Sequence, residues 1–358
     1  MRVTCRREVL AAALAVLLLS GCGHVISGAL TGGDAFDFAQ KHECVAAQPA
    51  PGQVEVRYLG SGGVYVEWRG DAILIGPSFS NPSLLRAAFG QAKFDEGRIA
   101  RALGVLDLTK VRAILAAHSH YDHIGDLPVV ATHPRLTKVP IYVNASGMNM
   151  LHSEPQLLAR AEKLAHGTAV DVGQSIRVRA LLSTHAPQLC RWRRWPCVYA
   201  AGDVEKEWSG KWTDHFLQSF RGGEPLAFEI ELWDEHRLRY RIYYNDAASD
   251  GATRVTGKAD LAILCMAQWS WAREYPVALL GALQPKHVVV SHWDDFFSKA
   301  EGTSRFVPLM SNRSAERFLA AVNDGVDGNA GPTNEVCGVR TERWTMPTVG
   351  SAMLFTPE

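Results

Sequence analysis

His118-Ser119-His120-Tyr121-Asp122-His123 places four metal-ligating side chains within six residues, in the pattern H-x-H-x-D-H. Imidazole nitrogen and carboxylate oxygen are the donors that zinc and its first-row neighbours take. Ahead of the run stands Val111-Arg112-Ala113-Ile114-Leu115-Ala116-Ala117, a short apolar stretch with the character of a buried strand. Behind it, Ile124-Gly125-Asp126-Leu127-Pro128 reads as a turn. On an extended chain His118 and His120, two residues apart, point to the same side. Asp122 and His123 then fall on the turn, placed to face a second metal.

The motif resembles that of the metallo-β-lactamase superfamily of hydrolases, and the resemblance extends over most of residues 53–300. It implies further ligands at later strand ends. Arg177-Val178-Arg179-Ala180-Leu181-Leu182 leads into Ser183-Thr184-His185, which matches the third histidine. Arg239-Tyr240-Arg241-Ile242-Tyr243-Tyr244 leads into Asn245-Asp246, the match to a bridging aspartate. Val288-Val289-Val290 leads into Ser291-His292, the match to the last histidine. The implied fold is α/β: an αββα sandwich of two mixed sheets face to face, helices outside, metals at one edge. The implied cofactors are two divalent metal ions, zinc in the first place, with manganese or iron as alternatives. His118, His120 and His185 would hold one ion, Asp122, His123 and His292 the other, and Asp246 would bridge them. Two such ions share a hydroxide that attacks the scissile bond, and Asp122 would both bind metal and accept a proton as the catalytic carboxylate.

A cysteine at the second metal, with no bridging carboxylate, would resemble many true β-lactamases. Asp246 instead resembles the phosphodiesterase, lactonase and glyoxalase II side. Ile73-Leu74-Ile75-Gly76-Pro77-Ser78-Phe79-Ser80 and Ser291-His292-Trp293-Asp294-Asp295-Phe296 are similar to the branch of L-ascorbate-6-phosphate lactonases and N-acylphosphatidylethanolamine phospholipases D. That branch carries Asp where Gly76 stands, so a contact that orients a ligand or the sheet edge is expected to be missing. Asp260 matches a family aspartate that orients a ligand histidine, or simply starts a strand. The expected function is hydrolysis of a phosphodiester in a small-molecule or lipid-derived substrate; a lactone or other cyclic ester or amide is the second expectation. From other classes, an iron-dependent oxidoreductase or a non-catalytic binding lipoprotein are the alternatives. The chain holds neither G-x-S-x-G nor H-E-x-x-H, so neither a serine nucleophile elbow nor a zinc-protease helix is encoded.

The 358 residues are 47% hydrophobic and 21% charged, with 37 basic and 37 acidic side chains. That composition suits a globular protein with a large core and gives no reason to expect nucleic acid as a partner. Arg2, Arg6 and Arg7 precede the apolar run Val9–Leu19, too short to span a bilayer but suited to a signal-peptide core. Leu19-Ser20-Gly21-Cys22 resembles the lipobox of bacterial lipoproteins. The expectation is a signal peptide over 1–21, a lipidated Cys22 with a tether over 22–52, and a hydrolase domain over 53–358. Such a protein would be exported and held at a membrane, the outer membrane facing the periplasm, by its acyl chains. An oxidising compartment permits disulfides. Cys190 and Cys197 are the first candidate pair, Cys44 with Cys337 a second, and Cys265 reads as a small core residue.

Along the chain, Val54–Leu59, Val64–Trp68 and Ala72–Ile75 alternate as a β-meander, with Gly60-Ser61-Gly62-Gly63 as a hairpin turn. Helices are expected at Leu84–Phe89, Ile99–Leu108, Met148–Leu164, Val277–Leu283 and Ser314–Val322. The segment 77–110 would either shape a pocket or cover the sheet. Trp192, Trp195, Trp208 and Trp212 follow His185 closely, among several arginines. They would form either a surface for a planar, apolar or anionic ligand, or a disulfide-braced loop packed on the body. Trp269, Trp271 and Trp293 would lie near the metal edge, or, for the first two as the preferred reading, form buried aromatic packing.

Overall fold

The computed structural model describes residues 49–186, 201–249, 255–298, 305–308, 310–325, 335–336, 339–340 and 343–357. The leader and tether with Cys22, both members of each candidate disulfide, and Trp192 and Trp195 lie outside the described residues. Three strands open the fold: β1 (Val54–Gly60), β2 (Gly63–Trp68) and β3 (Asp71–Ile75). Helices α1 (Leu84–Phe89) and α2 (Glu96–Gly104) precede β4 (Val111–Leu115). Short helices α3 (Tyr121–Ile124) and α4 (Leu127–Ala131) carry the chain to β5 (Ile141–Val143), α5 (Ala145–Leu151), α6 (Pro155–Leu158) and β6 (Ala161–Lys163). The second half runs through β7 (Ala169–Val172), β8 (Ile176–Leu182), β9 (Leu226–Asp234), β10 (Arg237–Asn245), β11 (Leu261–Cys265), α7 (Val277–Leu283), β12 (His287–Ser291) and α8 (Asn312–Gly325). It ends in β13 (Glu335–Val336), β14 (Val339–Arg340), β15 (Trp344–Thr345) and β16 (Ala352–Phe355).

Two seven-stranded sheets result, in the orders β16-β1-β2-β3-β4-β5-β6 and β15-β12-β11-β10-β9-β8-β7. Each is antiparallel on one side and parallel on the other: β3 pairs β4 in parallel, and β10 pairs β11 in parallel. This is the αββα sandwich of two mixed sheets expected from the sequence. Strands β3, β11 and β12 are buried at every position, as strands covered on both faces must be. The sheets are joined across the core by Trp68, whose indole N–H donates to the Trp233 carbonyl at 2.8 Å. Strands β8, β10 and β12 point the same way, so their C-terminal ends share one edge. That common edge is why His185, Asp246 and His292, distant in sequence, leave the sheet side by side.

Helices α1 and α7 match the expected ranges, and α8 extends the expected one at both ends. Helix α2 begins earlier than expected because the Asp95 side chain accepts from Arg98 N–H at 3.1 Å and caps it. The expected helix over Met148–Leu164 is corrected. Pro155 pushes Glu154 out of the helical region, to φ −130° and ψ 74°. The chain then turns and ends as β6, the edge strand of the first sheet.

Candidate metal centre

The local sequence builds the first half of the site. After β4 the chain passes His118 and His120 and winds into α3, so that Asp122 and His123 turn back towards the same point. Ser119, between the two histidines, is tied down: its hydroxyl donates to Asn144 Oδ1 at 2.5 Å and its N–H to the Gly222 carbonyl at 3.0 Å. Asn144 in turn donates to the Gly222 and Glu224 carbonyls. A Cβ on Gly222 would stand 3.0 Å from His120 Nε2, so a larger residue would press on that ring.

All seven residues named from the sequence converge, and all are buried except His185, which is partly so. His118, His120 and His185 form one group of ligand atoms within 4.8 Å of one another; Asp122, His123 and His292 form another. Within the first, His118 Nε2 lies 3.0 Å from His120 Nδ1. The His185 Nδ1–H donates to the Ala186 carbonyl at 2.9 Å. A carbonyl only accepts, so this contact puts the proton on Nδ1 and leaves the Nε2 lone pair for a metal. Within the second, Asp122 Oδ2 lies 3.4 Å from His123 Nε2 and 3.3 Å from His292 Nε2. Asp246 stands between the groups, one oxygen 3.1 Å from His118 Nδ1 and the other 3.2 Å from His123 Nδ1. His118, His123 and Asp246 accordingly make a third group.

The electrostatics suit a cation. Burial drives His118 and His120 well below the usual imidazole range and pushes His123 down to about 3. Burial also lowers His185. These rings are neutral near neutral pH, the form that binds metal. His292 differs: burial acts to lower it, but its hydrogen bond and charge pairing with Asp122 prevail and raise it. Burial raises Asp246, against the pull of His123, His292 and His185. Neutral imidazoles and buried carboxylates at this spacing are a donor set that divalent first-row ions fit. His118, His120 and His185 would hold one ion and Asp122, His123 and His292 a second, with Asp246 joining them.

Several supporting residues were not singled out in the sequence. The Gly60–Gly63 turn is the expected hairpin between β1 and β2, and it also roofs the centre: Ser61 Oγ donates to Asp122 Oδ2 at 3.3 Å. Tyr244 donates to the Gly62 carbonyl at 2.8 Å and lies 3.3 Å from Asp246 Oδ2. Tyr244 and Asp246 are two apart at a strand end, a spacing that puts them on one face, so this neighbour was readable. Tyr58 was not. Its hydroxyl donates to Asp294 and accepts the His292 N–H at 3.0 Å, while Ser61 N–H donates to Asp294 at 3.1 Å. His292 itself sits in left-handed backbone, φ 52°, so the strand exit that aims it is strained and braced. Replacing Tyr58 by Phe strips a donor from Asp294 and an acceptor from His292 N–H. The expected cost is about 1–3 kcal/mol of unfolding free energy, read by urea denaturation of the metal-free protein, with metal occupancy reduced. Unchanged stability and occupancy would refute the brace.

One expectation is corrected, one pair of readings is decided and one departure is explained. Of its two readings Asp260 takes the strand start: it lies directly ahead of β11, away from the metal edge, where its carboxylate accepts from Arg241 N–H at 2.9 Å and pairs with Lys286 at 3.2 Å. Trp269 is partly buried and packs against the core, whereas Trp271 is not buried packing but 44% exposed. Both line an open cleft of about 760 Å³, counted with its mouth, whose floor includes His120, Asp122, His123, His185, Asp246 and His292. At Gly76, φ 57°, a Cβ would stand 3.5 Å from His123 Nδ1. The missing Asp is therefore a missing side chain beside that nitrogen, which here faces Asp246 instead.

Of the Trp-rich segment, Trp208 and Trp212 are packed on the body. They meet edge-on at 5.3 Å, and the Trp212 indole donates to the Gly125 carbonyl at 3.0 Å, bracing the exit of the metal motif. Cys265 is a buried free thiol. Segment 77–110 contributes nothing to the cleft lining among the described residues. Its start is stitched to the motif by Asp126, which accepts from Phe79 and Ser80 N–H at 2.5 and 2.7 Å.

Known proteins share a family with this chain. The family described as Beta-lactamase superfamily domain matches residues 72–293. A UPF0173 metal-dependent hydrolase of Cupriavidus taiwanensis is 27% identical over 256 residues, covering 69% of this chain and 76% of that protein. A second, of Cupriavidus necator, is 26% identical over 258 residues with the same shares covered. A metallo hydrolase structure from Ignicoccus hospitalis superposes with a TM-score of 0.46 at 14% identity, over 86% of this chain and 100% of that one. With the family's match running from β3 through the last histidine of the cluster, the chain belongs to the beta-lactamase superfamily.

Proposed function

We propose that this chain is a metal-dependent hydrolase whose buried cluster holds two divalent ions, zinc in the first place. The observation that carries this reading is the convergence of two adjacent donor groups, joined by Asp246, on the floor of an open cleft. A pair of divalent ions, when bound, supplies water ionised near neutral pH and polarises the scissile group. The protein's own residues do the rest. His185 presents Nε2 because its Nδ1–H is committed to the Ala186 carbonyl. Asp122, held by the Ser61 hydroxyl and by His292, would bind metal and accept a proton as the catalytic carboxylate. The Gly60–Gly63 turn and Tyr244, tied together by the bond from the Tyr244 hydroxyl to the Gly62 carbonyl, hold the buried side of the centre in place.

Of the bonds expected from the sequence, a phosphodiester in a lipid-derived substrate is the first reading. A lactone or other cyclic ester or amide is the second, and one observation favours it: among the described residues, the cleft lining holds neither Lys nor Arg to meet a phosphate. The test is metal analysis joined to a substrate panel on the metal-loaded protein. About two zinc per chain, with turnover of a phosphodiester or a lactone that EDTA abolishes and zinc restores, is the expected result. Iron with redox-active spectra and no hydrolysis would overturn the proposal.

A further inference from the structure

Above the ligand floor, the cleft wall is made by two stretches that bind no metal. One is the turn Gln268–Trp271 after β11; the other comprises Phe296 and Phe297 together with Val307, Pro308 and Met310. Their positions are built rather than incidental. Trp269 donates from Nε1 to Ser314 Oγ at 3.0 Å and meets the Phe318 ring edge-on at 5.6 Å, so α8 holds it upright. Gln268 enters the turn in left-handed backbone, φ 58°, a conformation that non-glycine residues adopt rarely and that clusters at ligand clamps. That turn delivers Trp271 to the mouth, 44% exposed. Apart from the metal-ligating floor, the polar side chains of the described lining are the neutral Gln268, Ser270 and Ser314, with the thiol of Cys265.

An anionic group lying along this wall would lose water and meet no counter-charge from the described lining. A neutral apolar group would exchange water for indole, phenyl and thioether surface. A few neutral polar groups among apolar walls are the make-up of a small-molecule pocket. We propose that the wall of Trp269, Trp271, Phe297, Val307 and Met310 is the substrate-binding subsite for an uncharged apolar acyl or aryl group, holding its attached ester, lactone or amide over the metal-ligating floor. The subsite rests on the hydrolase reading for its chemistry, but its occupancy is measurable without turnover.

The experiment uses the full-length, metal-loaded protein. N-phenyl-1-naphthylamine, an uncharged apolar fluorophore, is titrated into the wild type, Trp271→Ala and Leu85→Ala, the last an exposed apolar residue outside the cleft lining. The expected result is saturable enhancement in the wild type, weakened about tenfold by Trp271→Ala and unchanged by Leu85→Ala. In parallel, kcat/KM is measured on p-nitrophenyl acetate, butyrate and octanoate and on bis(p-nitrophenyl) phosphate. The octanoate-to-acetate ratio should exceed about ten and should fall about tenfold in Trp271→Ala, through KM more than kcat. Probe binding that depends on Trp271, with no ester or phosphate turned over, would keep the subsite and discard the hydrolase reading. Turnover with no chain-length dependence and no Trp271-dependent probe binding would keep the hydrolase and discard the subsite.

Discussion

Asp246→Asn is expected to lower the metal content from two ions towards one and to reduce turnover by more than the roughly 10- to 100-fold that losing a partner of a metal ligand costs. Asn keeps the size of Asp246 but replaces a carboxylate with one carbonyl and one donor amide. The carboxylate points one oxygen at His118 and the other at His123, one residue from each donor group. An amide cannot serve both, and it removes a negative charge that offsets the ions. The same substitution should leave the metal-free fold as stable or more stable. Asp246 is buried, burial raises its pKa, and a buried charge costs free energy that a neutral isostere does not. The signature is therefore opposed: zinc content and turnover fall, while the unfolding midpoint in EDTA holds or rises. Atomic emission on dialysed protein, paired with urea denaturation, reads both. Two full equivalents of zinc with wild-type turnover would show that Asp246 does not join the halves.

Gly62→Ala carries the second large effect, and Gly70→Ala is its control. Both glycines occupy left-handed backbone, at φ 78° and φ 85°, where an added Cβ costs about 1–2 kcal/mol. At Gly70 nothing lies within 4 Å of the new atom. At Gly62 it would meet Asp246 Cβ at 3.1 Å, His292 Cδ2 at 3.2 Å and His123 Cε1 at 3.3 Å. Those neighbours sit in a close-packed centre and give way only by moving ligands. Gly70→Ala should thus lose the backbone strain alone and keep its zinc. Gly62→Ala should lose about 1–3 kcal/mol more and bind zinc at least about tenfold more weakly. Equal stability losses and equal zinc affinity in the two variants would show that the turn does not press on the centre.

The legibility of the site follows from what is local. The motif from His118 to His123 lies within six residues, and each later ligand follows a stretch whose alternation or apolar character marks a strand. The structure places β8, β10 and β12 directly before His185, Asp246 and His292. The helix over Met148–Leu164 failed on a local ground, because Pro155 breaks the pattern that its neighbours suggest. Trp271 failed on a non-local one. Its sequence is aromatic enough for a core, and whether an aromatic turn ends buried depends on what covers it. Here α8 covers Trp269 in part, and the cleft leaves Trp271 at its mouth.

By itself the sequence determined the donor cluster from His118 to His123 and the strand-like runs ahead of His185, Asp246 and His292, through donor chemistry and a period of two along the chain. The two-sheet class followed from the family that the motif resembles. Tertiary structure alone decided that Tyr58 braces His292 while bonding to Asp294, that Gly62 stands bare beside Asp246, and that Asp260 faces away. Each depends on residues more than 150 positions apart, or on opposite ends of one strand, meeting or missing each other. Sheet register and strand direction set such meetings, and neither is written in the side chains of any single segment.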